Sequence, residues 1–170
     1  MNLWKQLDTI DHDTCGTGME TVRVVIEIPK GSTLKYEYEA SGGYLRVVRE
    51  VEKKYRCPFN YGMIPQTETG KGNPLDAIVI YDQPISAGTV INCKVYGAIR
   101  TVDEGKEDDK IICLPYFKLE TEVDTDKIKY YLGHYKHQLQ SETFIGRVCG
   151  CKEAEEIINN SIKKFKERHL

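Results

Sequence analysis

The sequence lacks the segments that carry proteins into or across membranes. Its N-terminus, MNLWKQLDTI, contains no apolar stretch of the kind found in signal peptides. The longest apolar run is about five residues, at 77–81, whereas a membrane-spanning helix needs roughly 20. We therefore predict a cytoplasmic protein with no membrane partner.

An excess of positive charge is also missing. The chain has 24 Lys and Arg against 26 Asp and Glu, a formal net charge of -2, so no overall attraction to nucleic acid is expected. Apolar residues make up 40% and charged residues 29% of the chain, a balance typical of globular proteins. With 170 residues the chain is long enough for one core, and we predict a single domain over 1–170.

A disulfide framework is not expected either, although the chain has six cysteines. Disulfides are typical of secreted proteins, and no feature of the sequence indicates secretion. The pair Cys149-Gly150-Cys151 resembles half of a metal site, but it has no partner pair at zinc-like spacing. Metal binding by this pair is therefore a minor alternative.

Short strands are the dominant pattern. Alternating or wholly apolar runs predict TVRVVIEIP, LKYEYE and GYLRVVRE within 21–49, AIVIY at 77–81, a strand at 89–104, and KIICLP at 110–115. Asn60-Tyr61-Gly62 and residues 69–74 are interpreted as breaks between strands. Regularly spaced strands with few helices among them favour a closed barrel over a parallel sheet.

Two helices are predicted near the C-terminal end. In DTDKIKYYLGHYKHQL, one stripe holds Ile128, Tyr131, Leu132, Tyr135 and Leu139. In KEAEEIINNSIKKFKERHL, acids come first and Lys and Arg last, as the helix dipole prefers. The fold class is therefore mainly β (α+β).

Several polar residues occupy positions where a structural reason is weak. Glu27 lies within the apolar run VVIEIP, and Lys35 and Glu37 share one face of LKYEYE. The segment DEGKEDDK is densely charged, and GKGNPLD carries the acid Asp76 in a turn-rich loop. Taken singly, each has a plain alternative, such as a solvated ion pair or a solvated turn.

The order of these motifs is more informative. The succession IEIP, KYE, CPFNYG, GNPLD, DEGKEDDK and HYK resembles the soluble family I inorganic pyrophosphatases over roughly 24–136. This resemblance implies an OB-like five-stranded closed barrel with two flanking helices and a homo-oligomer, usually a hexamer. It also implies Mg²⁺-dependent hydrolysis of pyrophosphate, with Mn²⁺ as a possible substitute metal.

Site roles follow from the same resemblance. Metals neutralise the charge of pyrophosphate and activate water, and hard cations prefer carboxylate ligands. The implied metal ligands are Glu27, Glu37, Asp76, Asp103 and Asp108. The implied contacts to pyrophosphate or phosphate are Lys35, Arg49, Lys110, Tyr135 and Lys136, and Tyr61 is expected near the nucleophile.

Two central positions depart from the family pattern. Lys71 stands where an acid bridges two metals, and Asn73 stands where an acid is regarded as the general base. Together these changes add three positive charges. An ammonium repels a divalent ion at this site, and an amide cannot take a proton from water. Glu68 offers a replacement carboxylate if the loop is rearranged.

Three hypotheses follow. The first is an inorganic pyrophosphatase whose activity is reduced or lost. The second is a non-catalytic relative that binds pyrophosphate or phosphate, or assembles with an active paralogue. The third makes Cys57 a nucleophile; it stands where the family usually has tyrosine, and no base is evident near it in the sequence.

Overall fold

The computed structural model describes residues 1–12, 20–118, 122–138 and 142–170, and the side chains of 135–138 lie outside that description. Within these ranges the strands are β1 (Ile10–Asp11), β2 (Thr21–Ile28), β3 (Leu34–Glu39), β4 (Tyr44–Glu50), β5 (Asn60–Ile64), β6 (Leu75–Val79), β7 (Val90–Asp103), β8 (Lys106–Glu107), β9 (Lys110–Pro115) and β10 (Thr143–Gly150). The helices are α1 (Leu3–Gln6), α2 (Thr125–Gln138) and α3 (Cys151–His169).

Five strands close into a ring. The hydrogen-bonded order is β2, β5, β6, β9 and β7, and β7 pairs back onto β2. β6 and β9 run parallel, while the other neighbours in the ring are antiparallel. The ring confirms the predicted mainly β, OB-like architecture.

The ring encloses an apolar core. Nearly every residue of β2 and every residue of β9 is buried, which explains why their sequences show apolar runs rather than strict alternation. Strands β3 and β4 form a separate two-stranded hairpin. The residues of both strands are half-buried or exposed.

The two long helices cover the strands as predicted. Ile128 and Leu132 of α2 are buried in a cluster that contains Ile99 and Ile112. Ala154 and Ile158 of α3 join the cluster inside the ring, while Phe165 packs edge-on against Trp4 of α1, with ring centroids 5.4 Å apart. Leu139, the last position of the predicted α2 stripe, lies outside the described residues.

The prediction of a break at Asn60-Tyr61-Gly62 is wrong. These residues begin β5, a central strand of the ring. Gly62 permits this arrangement because a Cβ at its position would lie 2.2 Å from the carbonyl oxygen of Val25. The glycine therefore serves close strand approach rather than a turn. β6 also begins earlier than predicted, at Leu75, and β10 and α1 were not predicted.

The helices within the described ranges include none that combines the length and the hydropathy needed to span a bilayer.

Candidate functional site

A cavity of about 230 Å³ opens between the β3–β4 hairpin, the strands β5 and β6, and helix α2. We call it the site cavity. It brings together most of the residues to which the sequence assigns a role. Its charged and polar lining comprises Glu27, Lys35, Glu37, Tyr61, Lys71, Asn73, Asp76, Asp108 and Lys110, and Tyr36, Tyr38 and Tyr131 add aromatic walls.

The segment 69–74, called here the site loop, presents Lys71 and Asn73 to this cavity. Two backbone hydrogen bonds within the loop close it into a turn. The Thr69 amide donates to the Asn73 carbonyl at 2.8 Å, and the Gly72 amide donates to the Thr69 carbonyl at 3.0 Å. Gly72 has a φ of +81°, a left-handed conformation that glycine adopts without strain. The turn therefore fixes the backbone at both neighbouring residues.

Lys71 forms an ion pair with a residue of β7. Its Nζ donates to Oδ2 of Asp103, and Oδ1 of Asp103 accepts a 2.8 Å hydrogen bond from the Thr143 hydroxyl. Partial burial lowers the pKa of Lys71, but the hydrogen bond and charge of Asp103 outweigh it and raise the pKa. Lys71 is therefore a cation, and both oxygens of Asp103 are engaged.

Lys110 lies between two carboxylates. Its Nζ is 2.6 Å from Oδ2 of Asp76 and 2.9 Å from Oδ2 of Asp108. The parallel register of β6 and β9 pairs Asp76 with Lys110. Burial lowers the pKa of Lys110, but the two carboxylates outweigh it and raise the pKa.

Tyr61 of β5 also contacts this cluster. Its hydroxyl donates to Oδ2 of Asp76 at 2.7 Å. Burial, followed by the charge of Asp76, raises the pKa of Tyr61 well above its ordinary value. The hydroxyl therefore stays protonated and orients the Asp76 carboxylate.

Glu27 is buried at the back of the cavity. Its Oε2 accepts a 2.8 Å hydrogen bond from the Tyr38 amide, which ties β2 to the hairpin. Burial and the nearby charge of Asp76 raise the pKa of Glu27 to about 8. In front of it, Lys35 and Glu37 lie 3.5 Å apart, Nζ to Oε1. The Glu27 carboxyl is therefore harder to ionise than usual, and a bound cation would favour its charged form.

Other predicted site residues lie elsewhere or outside the description. Asp103 is behind Lys71 rather than on the cavity wall. Arg49, on β4, pairs in register with Lys35 but is not part of the lining. Tyr135 and Lys136 lie on α2, and their side chains are outside the described residues.

Sequence reasoning missed two contributors. Tyr38 supplies the amide that holds Glu27, and Tyr131 lines the cavity from α2. The predicted helical stripe included Tyr131 as a structural position, and Tyr38 lay within the predicted strand LKYEYE without a role. Their role depends on how the hairpin and α2 face the ring.

Comparison with known proteins agrees with this arrangement. The sequence family described as inorganic pyrophosphatase matches residues 24–166. The chain belongs to the inorganic pyrophosphatase family. It is 34% identical over 162 residues to the inorganic pyrophosphatase of Aquifex pyrophilus, covering 87% of this chain and 91% of that protein. It is 36% identical over 161 residues to that of Nanoarchaeum equitans, with 86% and 99% covered.

Solved structures extend the similarity to the fold. An inorganic pyrophosphatase from Neisseria gonorrhoeae superposes with a TM-score of 0.80 at 30% identity, over 86% of this chain and 91% of that one. The enzyme from Thermus thermophilus gives 0.82 at 26% identity, over 98% and 99%. This member of the pyrophosphatase family thus keeps the fold while carrying Lys71 and Asn73.

Membership of the pyrophosphatase family implies dependence on a divalent metal. Within the described ranges, no three Asp, Glu, His or Cys side chains cluster as a complete metal cage. Mg²⁺ does not need one, since it commonly takes one or two carboxylates and completes its shell with water and phosphate oxygens. Asp76 and Asp108 fit that description. Asp103 does not, because Lys71 and Thr143 engage its carboxylate.

Glu68 does not supply a replacement carboxylate. Its side chain lies beneath the site loop, where Oε1 accepts from Nη1 of Arg168 at 2.8 Å and Oε2 lies 3.4 Å from Nε2 of His169. It is absent from the described lining of the site cavity. The sequence could not show this, because Arg168 is 100 residues away.

The cysteine alternatives find no support in the geometry. Cys57 is buried in an apolar cluster, and its thiol donates to the Phe59 carbonyl at 3.0 Å. Burial raises its pKa to about 11, whereas a nucleophilic cysteine needs a lowered pKa. Cys149 is buried at the end of β10, while Cys151 is exposed at the start of α3.

Proposed function

We propose that this protein binds inorganic pyrophosphate in the site cavity and hydrolyses it slowly to two phosphates with Mg²⁺. The observation that carries the proposal is the cluster of Lys110, Asp76, Asp108 and Tyr61 in a member of the pyrophosphatase family. It combines carboxylates suited to a hard cation with a buried ammonium suited to phosphate oxygens.

Different residues of the site cavity bind phosphate and metal. Lys35 and Lys110 donate to phosphate oxygens, and Tyr61 holds Asp76 in a fixed orientation. Asp76 and Asp108 would hold Mg²⁺, with Glu27 and Glu37 nearby. The bound metal supplies charge neutralisation and a lowered pKa for bound water. Mn²⁺, which accepts similar oxygen ligands, is the alternative metal.

Two residues of the site loop are the reason that we expect slow hydrolysis of pyrophosphate. Asn73 lines the cavity, but its amide cannot accept a proton from water. Loss of a general base costs roughly 10²–10⁴ in rate. Lys71 adds to this loss because its ammonium engages Asp103 and repels a cation placed beside it.

A non-catalytic role is the second candidate. The Lys71–Asp103 ion pair favours it, since it replaces a carboxylate open to a metal with an internally neutralised pair. In that case the protein binds pyrophosphate or phosphate without turnover, or assembles with an active paralogue.

The deciding experiment measures phosphate release from pyrophosphate with Mg²⁺ and with Mn²⁺. An Asp76→Asn variant purified in parallel is the control, because contaminating host enzyme would be unaffected by this change. We expect turnover well below the roughly 1–10³ s⁻¹ of ordinary enzymes, and its loss in Asp76→Asn. Turnover within that range would refute the reduced rate, and release equal in both proteins would refute hydrolysis.

Other predictions from the sequence stay proposals. Arg49, Tyr135 and Lys136 are proposed to contact substrate phosphate, and Asp103 is proposed to have become a counter-ion instead of a metal ligand. We also propose a cytoplasmic, single-domain protein that forms a homo-oligomer, a hexamer by resemblance. Light scattering coupled to size-exclusion chromatography measures the oligomer directly.

A further inference from the structure

Two wall residues of the site cavity that flank Gly72 are hydrogen-bond donors. Lys71 and Asn73 both line it, and both carry N–H groups suited to phosphate oxygens. The Lys71 ammonium has three donors and gives one to Asp103. Its side chain lines the cavity and remains 23% exposed.

The site loop fixes the backbone that carries these donors, and Asp103 holds the Lys71 ammonium, before any ligand arrives. Besides its two backbone hydrogen bonds, the Lys71 amide donates to Thr69 Oγ1 at 3.2 Å. A Cβ built on Gly72 would lie 3.5 Å from Glu68 Oε1 and 3.8 Å from Arg168 Nη1. The turn therefore packs against the ion pair between Glu68 and Arg168. Donors fixed in advance lose little entropy on binding.

Each ion pair of the cavity includes a lysine. Lys35 lies against Glu37, Lys110 lies against Asp76 and Asp108, and Lys71 lies against Asp103. Asp103 therefore does not present an unscreened negative charge to an entering anion. At the site loop the cavity offers an ammonium and an amide where an anion can be held directly.

We propose that the site cavity binds pyrophosphate without any divalent metal, through direct contacts from Lys71 and Asn73 to one of its phosphate groups. The inference rests on the proposed ligand but not on hydrolysis. The Lys71 ammonium takes the place of a bridging metal charge, and the Asn73 amide donates a second hydrogen bond. Turnover still requires a metal, whereas binding does not.

The test is calorimetric titration of pyrophosphate into the full-length, metal-stripped protein in excess chelator. We expect saturable binding at one pyrophosphate per chain. Lys71→Met should weaken it about 10-fold to 100-fold, since it removes a hydrogen bond from a charged donor. Lys71→Arg should retain most of the affinity, and Asn73→Asp should lower it.

Lys166→Met is the matched control. It removes one positive charge from an exposed position of α3, so unchanged affinity would show that the effect is local. Thermal melts of every variant verify folding, and the titration of the native protein tests the proposal independently of any variant.

Binding that appears only when Mg²⁺ is added would overturn the inference and leave the proposed function intact. Binding in chelator that Lys71→Met does not weaken would overturn it as well, because the anion would then lie elsewhere. Failure to bind with or without Mg²⁺ would overturn both proposals.

Discussion

At the scale of single residues, the proposal of slow turnover depends on two side chains. Lys71 and Asn73 present N–H donors where metal chemistry requires carboxylate acceptors. Asp76, Asp108, Tyr61 and Lys110 keep a connected cluster beside them. Under the proposed function, the loss of activity is confined to the site loop, and a local change should repair it.

The double substitution Lys71→Asp with Asn73→Asp is expected to raise hydrolysis by about 10²-fold or more, because it restores a proton acceptor and a carboxylate for the metal. Phosphate release from pyrophosphate with Mg²⁺ measures the gain. The matched control is Lys163→Asp with Asn159→Asp, which makes the same charge change on the exposed face of α3. An unchanged rate in the first variant, or an equal gain in the control, would contradict the assignment.

Cys57 provides a second prediction for a single residue. Its buried thiol, whose pKa is raised to about 11, should resist alkylation in the folded protein. After iodoacetamide treatment near pH 8, mass spectrometry should find the exposed Cys151 modified before Cys57. Rapid modification of Cys57, with loss of pyrophosphate hydrolysis, would support the hypothesis that Cys57 is a nucleophile.

At the scale of elements, the closeness of β5 to β2 depends on Gly62. Gly62→Ala forces a methyl group to 2.2 Å from the Val25 carbonyl, and relief requires movement of the backbone. We expect a loss of unfolding free energy of about 3 kcal/mol or more, measured by denaturant titration.

Gly133→Ala in α2 is the matched control for Gly62→Ala. A Cβ at Gly133 meets no neighbouring atom within 4 Å, and alanine is favoured over glycine in a helix by about 1 kcal/mol. The two substitutions should therefore have opposite signs. A mild effect of Gly62→Ala would mean that β5 can shift away from β2.

The same strand marks the limit of prediction from sequence. β2, β7, β9 and α3 were predicted because their own residues carry apolar runs or a helical stripe. β5 was not, because Asn60 and Gly62 resemble turn residues until the facing carbonyl is known. Likewise the sequence placed both Lys71 and Asp103 near the metals, but their pairing joins residues 32 positions apart.

At the scale of the whole molecule, both ends of the described chain hold the segment that leads into the site loop. From α1, the Trp4 indole donates to the Thr67 carbonyl at 2.8 Å, and the Gln66 amide donates to the Trp4 carbonyl at 2.8 Å. From α3, Arg168 donates to Glu68. The rigidity of the site loop therefore depends on helices distant in sequence.

Arg168→Ala should loosen the site loop. The arginine is 66% exposed, but its partner Glu68 is only 3% exposed, so we expect a loss of unfolding free energy of about 1–3 kcal/mol, because a buried carboxylate is left with one partner fewer. The amides of Lys71 and Gly72, which donate within the loop, should exchange with deuterium faster. Arg147→Ala is the control for loss of an exposed arginine: Arg147 is 65% exposed and pairs at 2.8 Å with Glu153, whose side chain is 32% exposed, against 3% for Glu68. Loop exchange that is unchanged in Arg168→Ala, or equally raised in Arg147→Ala, would show that α3 does not support the loop.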